Sequence, residues 1–244
     1  KRDIQKCSIV LNHLVEVRFG TKFGIGILVF KIKSFKLIFW DFDGVIKDSI
    51  DIKTQAFFQL FEPFGSVVAE KVREHHEAHG GMSRFEKLPI YLKMTGEKPS
   101  NTLVLQYAEK FSKLVKKKVI SSNWVDGVLE YLQKNYYDQK FFLITATPQQ
   151  EIEEILKELK ISQYFQCVIG SPEKKYNAMK TLLDKYNIDR KEVVMVGDSN
   201  ADYSASVQNR ITFVLRKTKL NVRLQEQVTC VMITDFIEVL YGKT

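Results

Sequence analysis

The chain has 244 residues, 45% of them hydrophobic, with a mean hydropathy of −0.17. That is ordinary globular composition, enough for one domain or for a core with an inserted subdomain. The net charge of +8 points to acidic partners such as phosphorylated metabolites, while three cysteines without a CxxC exclude a disulfide framework and suit a reducing, cytoplasmic setting.

Residues 1–33 carry no motif. Ile9-Val10-Leu11 and Ile25–Ile32 read as short strands, with Gly20, Gly24 and Gly26 as turn points. The chain begins at Lys1 rather than Met, as a fragment or processed form would, and shows no signal-peptide cleavage pattern. Gly24–Phe30 is apolar, but Lys31, Lys33 and Lys36 interrupt the residues after it, so no run reaches membrane-spanning length. This stretch is taken as an N-terminal extension.

From Ser34 the pattern becomes regular. Phe35–Trp40 predicts a buried strand. Residues 51–118 predict helices, with apolar positions at three- and four-residue spacing (Phe57, Leu60, Phe61, Phe64; later Ala108, Phe111, Leu114, Val115) and breaks at Gly80-Gly81 and Gly96–Pro99. Lys116-Lys117-Lys118, the densest basic run, reads as a solvated helix end. With no aromatic-basic RNA-binding signature or zinc-finger spacing, nucleic acid ranks low as a partner.

Strands and helices then alternate. Strands are expected at Lys140–Thr145, Cys167–Ile169, Glu192–Val196 and Ile211–Leu215. Helices are expected at Val125–Tyr136, Pro148–Leu159, Tyr176–Tyr186 and Ala201–Gln208, with Thr229–Ile233 and Asp235–Leu240 closing the chain. Such alternation implies an α/β fold: a Rossmann-like three-layer core with a parallel sheet covered on both faces. The 51–118 block interrupts it after the first strand. The expected organisation is therefore an extension over 1–33, a core from 34–50 and 119–244, and an inserted α-helical cap over 51–118.

Ligands sit beyond the carboxyl ends of strands in such sheets. The first strand ends in Asp41-Phe42-Asp43-Gly44, two carboxylates one residue apart. They repel each other and are costly to desolvate without a cation or a proton. A divalent metal and a division of labour would explain them, one Asp ionised as nucleophile and one carrying a proton. The next strand end is Thr145-Ala146-Thr147-Pro148, and a later one is Gly197-Asp198-Ser199-Asn200-Ala201-Asp202. Between them lies Ser171-Pro172-Glu173-Lys174-Lys175. Such carboxylates hold a hard cation such as Mg²⁺ through oxygen. A hydroxyl, a lysine and backbone N–H groups hold phosphate oxygens.

The order Asp41-Phe-Asp43-Gly-Val, Thr145, Lys174/Lys175, Gly197-Asp198-xxx-Asp202 resembles the haloacid dehalogenase-like hydrolase superfamily, over residues 34–244. The resemblance is to the subgroup with a helical cap between the first and second motifs, which includes phosphoglycolate phosphatases and β-phosphoglucomutases. It implies Asp41 as the nucleophile that becomes an aspartyl-phosphate, and Asp43 as general acid and then base. It implies Thr145 as the phosphate-binding hydroxyl, with Ala146 beside it at the substrate. Asp198 and Asp202 would hold Mg²⁺, joined by Asp41 and the backbone carbonyl of Asp43. The third-motif lysine is Lys175 if Ala178, Met179, Leu182 and Leu183 form the apolar face of the following helix; Lys174 is the alternative. An acid at position 43 separates the chain from true haloacid dehalogenases, so dehalogenation is not expected.

Gly80-Gly81-Met82-Ser83-Arg84 resembles a cap stretch of β-phosphoglucomutase and related sugar-phosphate phosphatases, where the arginine reaches a substrate phosphate. Arg84 is thus a substrate candidate against a bland reading as a surface ion pair, since a guanidinium grips phosphate bidentately. Ser49, where the chain leaves for the cap, is a second candidate against helix capping or a hinge role. Lys53 stands where mutases carry a histidine, which puts phosphatase ahead of mutase. His75, His76 and His79 invite a metal reading, since 75 and 79 lie one helical turn apart, but without the glutamate of HExxH they read as a solvated face, with a substrate contact at the cap edge as the alternative ahead of metal. Trp40 and Trp124 read as packing, and Cys167 as inert. The expected activity is an Mg²⁺-dependent phosphatase of a small phosphorylated metabolite, a sugar phosphate or phosphoglycolate-like acid, with no membrane partner. A phosphosugar mutase is the alternative on the same scaffold, and a catalytically idle binding module the alternative of another class. The residues specify no oligomeric state.

Overall fold

The computed structural model describes residues 14–16 and 28–241. Ile9-Val10-Leu11 lies outside them. Of the other early expectation, β2 (Leu28–Phe30) forms and pairs antiparallel with β1 (Leu14–Glu16), with Val15 opposite Val29. Ile32 instead opens a short 3₁₀ turn.

The expected parallel sheet is present. Its six strands are β3 (Leu37–Trp40), β4 (Lys140–Pro148), β5 (Cys167–Ser171), β6 (Val193–Gly197), β7 (Thr212–Arg216) and β8 (Val231–Ile233). They lie in the order β5-β4-β3-β6-β7-β8, every pairing parallel. β3 is central, flanked by β4 and β6, so its end is adjacent to theirs. All four of its side chains are buried because both faces are covered. Leu37 and Phe39 enter one core with Met179, Leu182 and Met195; Ile38 and Trp40 enter the other with Tyr131, Phe141 and Ile152. This is the two-residue period of a strand expressed as two cores. Trp40 packs among Tyr131, Phe141 and Phe236 with centroids 5.2–5.8 Å apart.

Five α-helices lie between β3 and β4, and the first four form the insertion: α1 (Ile50–Phe61), α2 (Ser66–Ala78), α3 (Arg84–Met94) and α4 (Asn101–Ser121). Their apolar stripes meet around Phe57, which stacks on Phe111 at 4.0 Å and meets Tyr91 edge-on at 5.3 Å. Ser83 caps α3 in a reciprocal capping box with Glu86. The last helix runs on to Ser121, so the expected boundary at 118/119 falls inside it.

The remaining helices are α5 (Val128–Asn135), α6 (Gln149–Glu158), α7 (Lys175–Tyr186), α8 (Asn200–Asn209), α9 (Val222–Gln227) and α10 (Ile237–Tyr241). β4 extends three residues beyond the expected Thr145, with a register irregularity between Ile144 and Pro148. Thr147 thereby reaches the sheet edge beside Asp43.

Candidate active site

Asp41 follows β3 directly, and its backbone N–H still bonds to Val196 of β6 at 3.0 Å. The sheet thus holds the residue as rigidly as the strand itself. One carboxylate oxygen accepts from the backbone N–H of Phe42 at 2.8 Å, the other from Lys175 Nζ at 2.8 Å. Lys175 is buried at the start of α7, where Ala178, Met179, Leu182 and Leu183 all face the core. The same Nζ reaches Asp202 Oδ1 at 2.5 Å. Lys174 points to solvent, with Glu86 3.6 Å away. The helix face therefore decides which lysine enters the site.

Asp202 is fully buried. Its second oxygen accepts from the Ser199 hydroxyl (2.5 Å) and backbone N–H (3.1 Å). Both oxygens being engaged, Asp202 fastens Lys175 to the start of α8. The Asp41, Asp198 and Asp202 carboxylates each place an oxygen within 4.8 Å of the others, all buried. Three carboxyl groups share one ammonium. Burial and the neighbouring Asp202 carboxylate push Asp41 up to about 7, against the pull of Lys175. Burial, then Asp41 and Asp202, push Asp198 well above the carboxylate range. Burial alone would lower Lys175, but Asp202 and Asp41 raise it. This deficit of positive charge, on hard oxygen donors, fits a divalent cation. Gly44 has a left-handed φ of +75°, and a Cβ there would lie 2.4 Å from Asp198 Oδ2. Its glycine is what lets the two strand ends close on one another.

Asp43 turns away from that cluster. Ser49 Oγ donates to one oxygen at 2.6 Å; the other contacts Lys53 and, at 3.2 Å, the Thr147 hydroxyl. Lys53 also donates to Thr147 at 2.8 Å. Burial would raise the Asp43 pKa, but the Lys53 charge and these hydrogen bonds outweigh it and hold it below the usual value.

A cavity of about 80 Å³ joins Asp41, Asp43, Asp198, Thr145 and Ala146 to residues of the helical insertion. Gly81, φ +76°, lets the insertion rest on the α8 turn, since a Cβ there would meet Ser199 Oγ at 2.4 Å. Ser49 does not line this cavity: it is buried beneath Asp43 and serves as its hydrogen-bond donor. Arg84 does line it, but its guanidinium is taken by Glu151 of α6, NH1 and NH2 reaching separate oxygens at 2.8 and 2.5 Å. Ser112 accepts from it at 2.5 Å. Where a substrate phosphate was expected, the chain supplies its own carboxylate, because α6 directs Glu151 at the insertion. Burial would raise the Glu151 pKa, but Arg84 and Ser112 keep it low.

Sequence reasoning missed Glu151, Thr147 and Lys87, and treated Lys53 only as a departure; of the three clustered histidines, His76 is the one that lines the cavity. Lys87 was signalled: Arg84, Lys87, Leu88 and Tyr91 recur at helical spacing, and all are buried. The His75 and His79 rings stack at 4.0 Å; His79 Nδ1 meets its own helix at His75 O (2.8 Å), and His75 meets the Tyr91 hydroxyl (3.2 Å). Among the described residues the potential metal-binding group is the Asp cluster alone. Burial raises the Cys167 thiol, as an inert cysteine requires.

Fold and site together define a parallel α/β protein with a carboxylate–lysine centre at its carboxyl strand edge. The chain belongs to the haloacid dehalogenase-like hydrolase family, whose model matches residues 38–215. It is 28% identical over 191 residues to the phosphoglycolate phosphatase of Vibrio parahaemolyticus, covering 71% of this chain and 80% of that one. It is 26% identical over 180 residues to phosphoglycolate phosphatase 1 of Pseudomonas aeruginosa, covering 70% and 65%. Among solved structures it is similar in fold to a predicted phosphoglycolate phosphatase from Haemophilus somnus (TM-score 0.68, 17% identity, 86% and 98% covered). It is likewise similar in fold to CbbY from Rhodobacter sphaeroides, solved with phosphate (TM-score 0.66, 11% identity, 84% and 96% covered). No helix among the described residues is long and apolar enough to cross a membrane.

Proposed function

We propose that the protein is an Mg²⁺-dependent phosphatase of a small phosphorylated acid. The observation that carries this is the Asp41 carboxylate, fixed at the end of the central strand, bonded to Lys175 and facing Asp198 in a cavity shared with Thr145. The similarity to phosphoglycolate phosphatases supports a short acid as substrate. Residues 51–118, extended to the end of α4, act as the cap that selects it.

Asp41 and Asp198 would hold the metal with the backbone carbonyl of Asp43, and Asp202 would hold Lys175 in place. When bound, the cation neutralises charge on the transferring phosphoryl oxygens. An Asp41 oxygen attacks phosphorus and the bond to the leaving oxygen breaks. Lys175 and the Thr145 hydroxyl receive the phosphoryl oxygens, where preorganised donors stabilise developing charge. Asp43, ionised beside Lys53, relays a proton from the Lys53 ammonium to the leaving oxygen, with the Thr147 hydroxyl bonded to both. It then takes a proton from the water that hydrolyses the aspartyl-phosphate and returns it to Lys53, releasing phosphate and restoring Asp41.

A panel of small phosphomonoesters assayed with Mg²⁺ and with chelator tests the reading. Phosphate release should require Mg²⁺ and vanish in Asp41→Asn. Undiminished turnover by Asp41→Asn would refute it.

A further inference from the structure

The cavity has a second charged end. Lys87 of α3 is 1% exposed and lines the cavity with Lys53, His76 and Arg84, across from Asp41 and Thr145. Arg84 is neutralised by Glu151, and Lys53 is joined to Asp43. Lys87 makes no ion pair among the described residues. Its ammonium bonds to His76 Nδ1 at 2.8 Å and His76 O at 3.4 Å. The Phe57 ring lies 5.9 Å from it.

An ammonium has three donors, and the described residues supply two acceptors, both from His76. Burying a cation without a counter-ion is costly. The protein meets that cost with a neutral partner: burial, then Lys87 and Lys53, lower His76 well below the usual histidine range. Burial, then Lys53, push Lys87 itself down to about 7. A lysine kept dry and without a counter-ion beside a reaction chamber is a receptor for an anion, which holds the proton on it when bound.

We propose that Lys87 determines specificity by receiving a carboxylate on the end of the substrate opposite the phosphoryl group. This rests on the phosphatase reading and deepens it. With Arg84 and Lys53 both engaged, one cation is left for one negative charge. That suits a carboxylate rather than a second phosphate. The 80 Å³ cavity keeps the two ends close, so the substrate class is a short phosphorylated carboxylic acid.

The test compares 2-phosphoglycolate with its neutral amide at saturating Mg²⁺. The wild type should favour the acid at least tenfold in kcat/KM. In Lys87→Met the ratio should collapse toward one, through loss on the acid, while the amide stays within threefold of wild type. Retained amide turnover also shows that the variant folds. If it does not fold, glycolate should inhibit wild-type turnover of the amide at a concentration at least tenfold below glycolamide. A wild-type ratio near one, equal inhibition by glycolate and glycolamide, or an equal fall on both substrates in Lys87→Met overturns the assignment. Phosphate release from other phosphomonoesters of the panel but from neither of these two overturns this assignment alone; no release from any of them refutes the phosphatase reading and this one with it.

Discussion

The two ends of the cavity are built on opposite principles. At the sheet edge three buried carboxylates crowd one lysine, and every side-chain oxygen of Asp41 and Asp202 has a donor. At the helical end Lys87 keeps a donor in reserve, and among the described residues its hydrogen bonds go to His76 alone. The sheet end is rigid, held by ladder bonds on both sides of β3. The helical end is joined to α6 by side-chain contacts, among them the Arg84–Glu151 and Lys116–Glu154 pairs. An over-determined end suits chemistry that never varies. An under-partnered end suits recognition, since its missing partner arrives with the substrate.

Substitutions at the two ends should separate these roles. The largest effect is expected at Lys175→Met, which leaves the carboxylates uncompensated and removes a phosphoryl contact. Its kcat should fall by about 10³-fold or more, roughly 4 kcal/mol of barrier; a loss under tenfold would place the lysine outside the chemistry. Glu151→Gln should lower stability by about 3 kcal/mol, because it strands a buried guanidinium. Chemical denaturation reads this, and the double variant Arg84→Met/Glu151→Met should recover part of the loss.

That pair also carries a pH signature. Glu151 has a lowered pKa in the folded protein, so its contribution is present above the unfolded carboxylate value of about 4.3. As pH falls, the unfolded chain takes up the proton first, and the contribution fades through the folded pKa. The stability gap between wild type and Glu151→Gln should therefore narrow below about pH 4; a gap constant with pH would deny the ion pair its role.

Gly44→Ala should act through the metal, since its Cβ would strike Asp198. The Mg²⁺ concentration for half-maximal activity should rise at least tenfold, about 1.4 kcal/mol. An unchanged Mg²⁺ requirement would show that Asp198 tolerates displacement. The smallest effect is expected at Lys174→Ala: an exposed side chain of this kind contributes within about 0.5 kcal/mol, and kcat should stay within about twofold, which 0.5 kcal/mol of barrier spans. Comparable losses at Lys174 and Lys175 would erase the distinction drawn from α7.

The sheet end was legible in the sequence because its signals are local. An apolar strand stopping at Asp41, or a helix stripe of Ala178, Met179, Leu182 and Leu183, places its neighbour without knowledge of the rest. The helical end was not legible, because its meaning lies in partners far apart in the chain. Arg84 stood out as a residue, but nothing near it announced that Glu151, on a helix beyond the second strand, would reach its guanidinium. Lys87 went unremarked, although its spacing from Leu88 and Tyr91 puts it on the buried stripe. Thr147 was hidden by the longer course of β4.

The central claim is that Asp41 carries the phosphoryl group. Quenching the protein during turnover, reducing with borohydride and mapping the peptides by mass tests it most directly, because reduction of an aspartyl-phosphate leaves homoserine. The account predicts homoserine at position 41, formed only with Mg²⁺ and substrate present. Homoserine at position 43 or 198, with residue 41 unmodified, would contradict it.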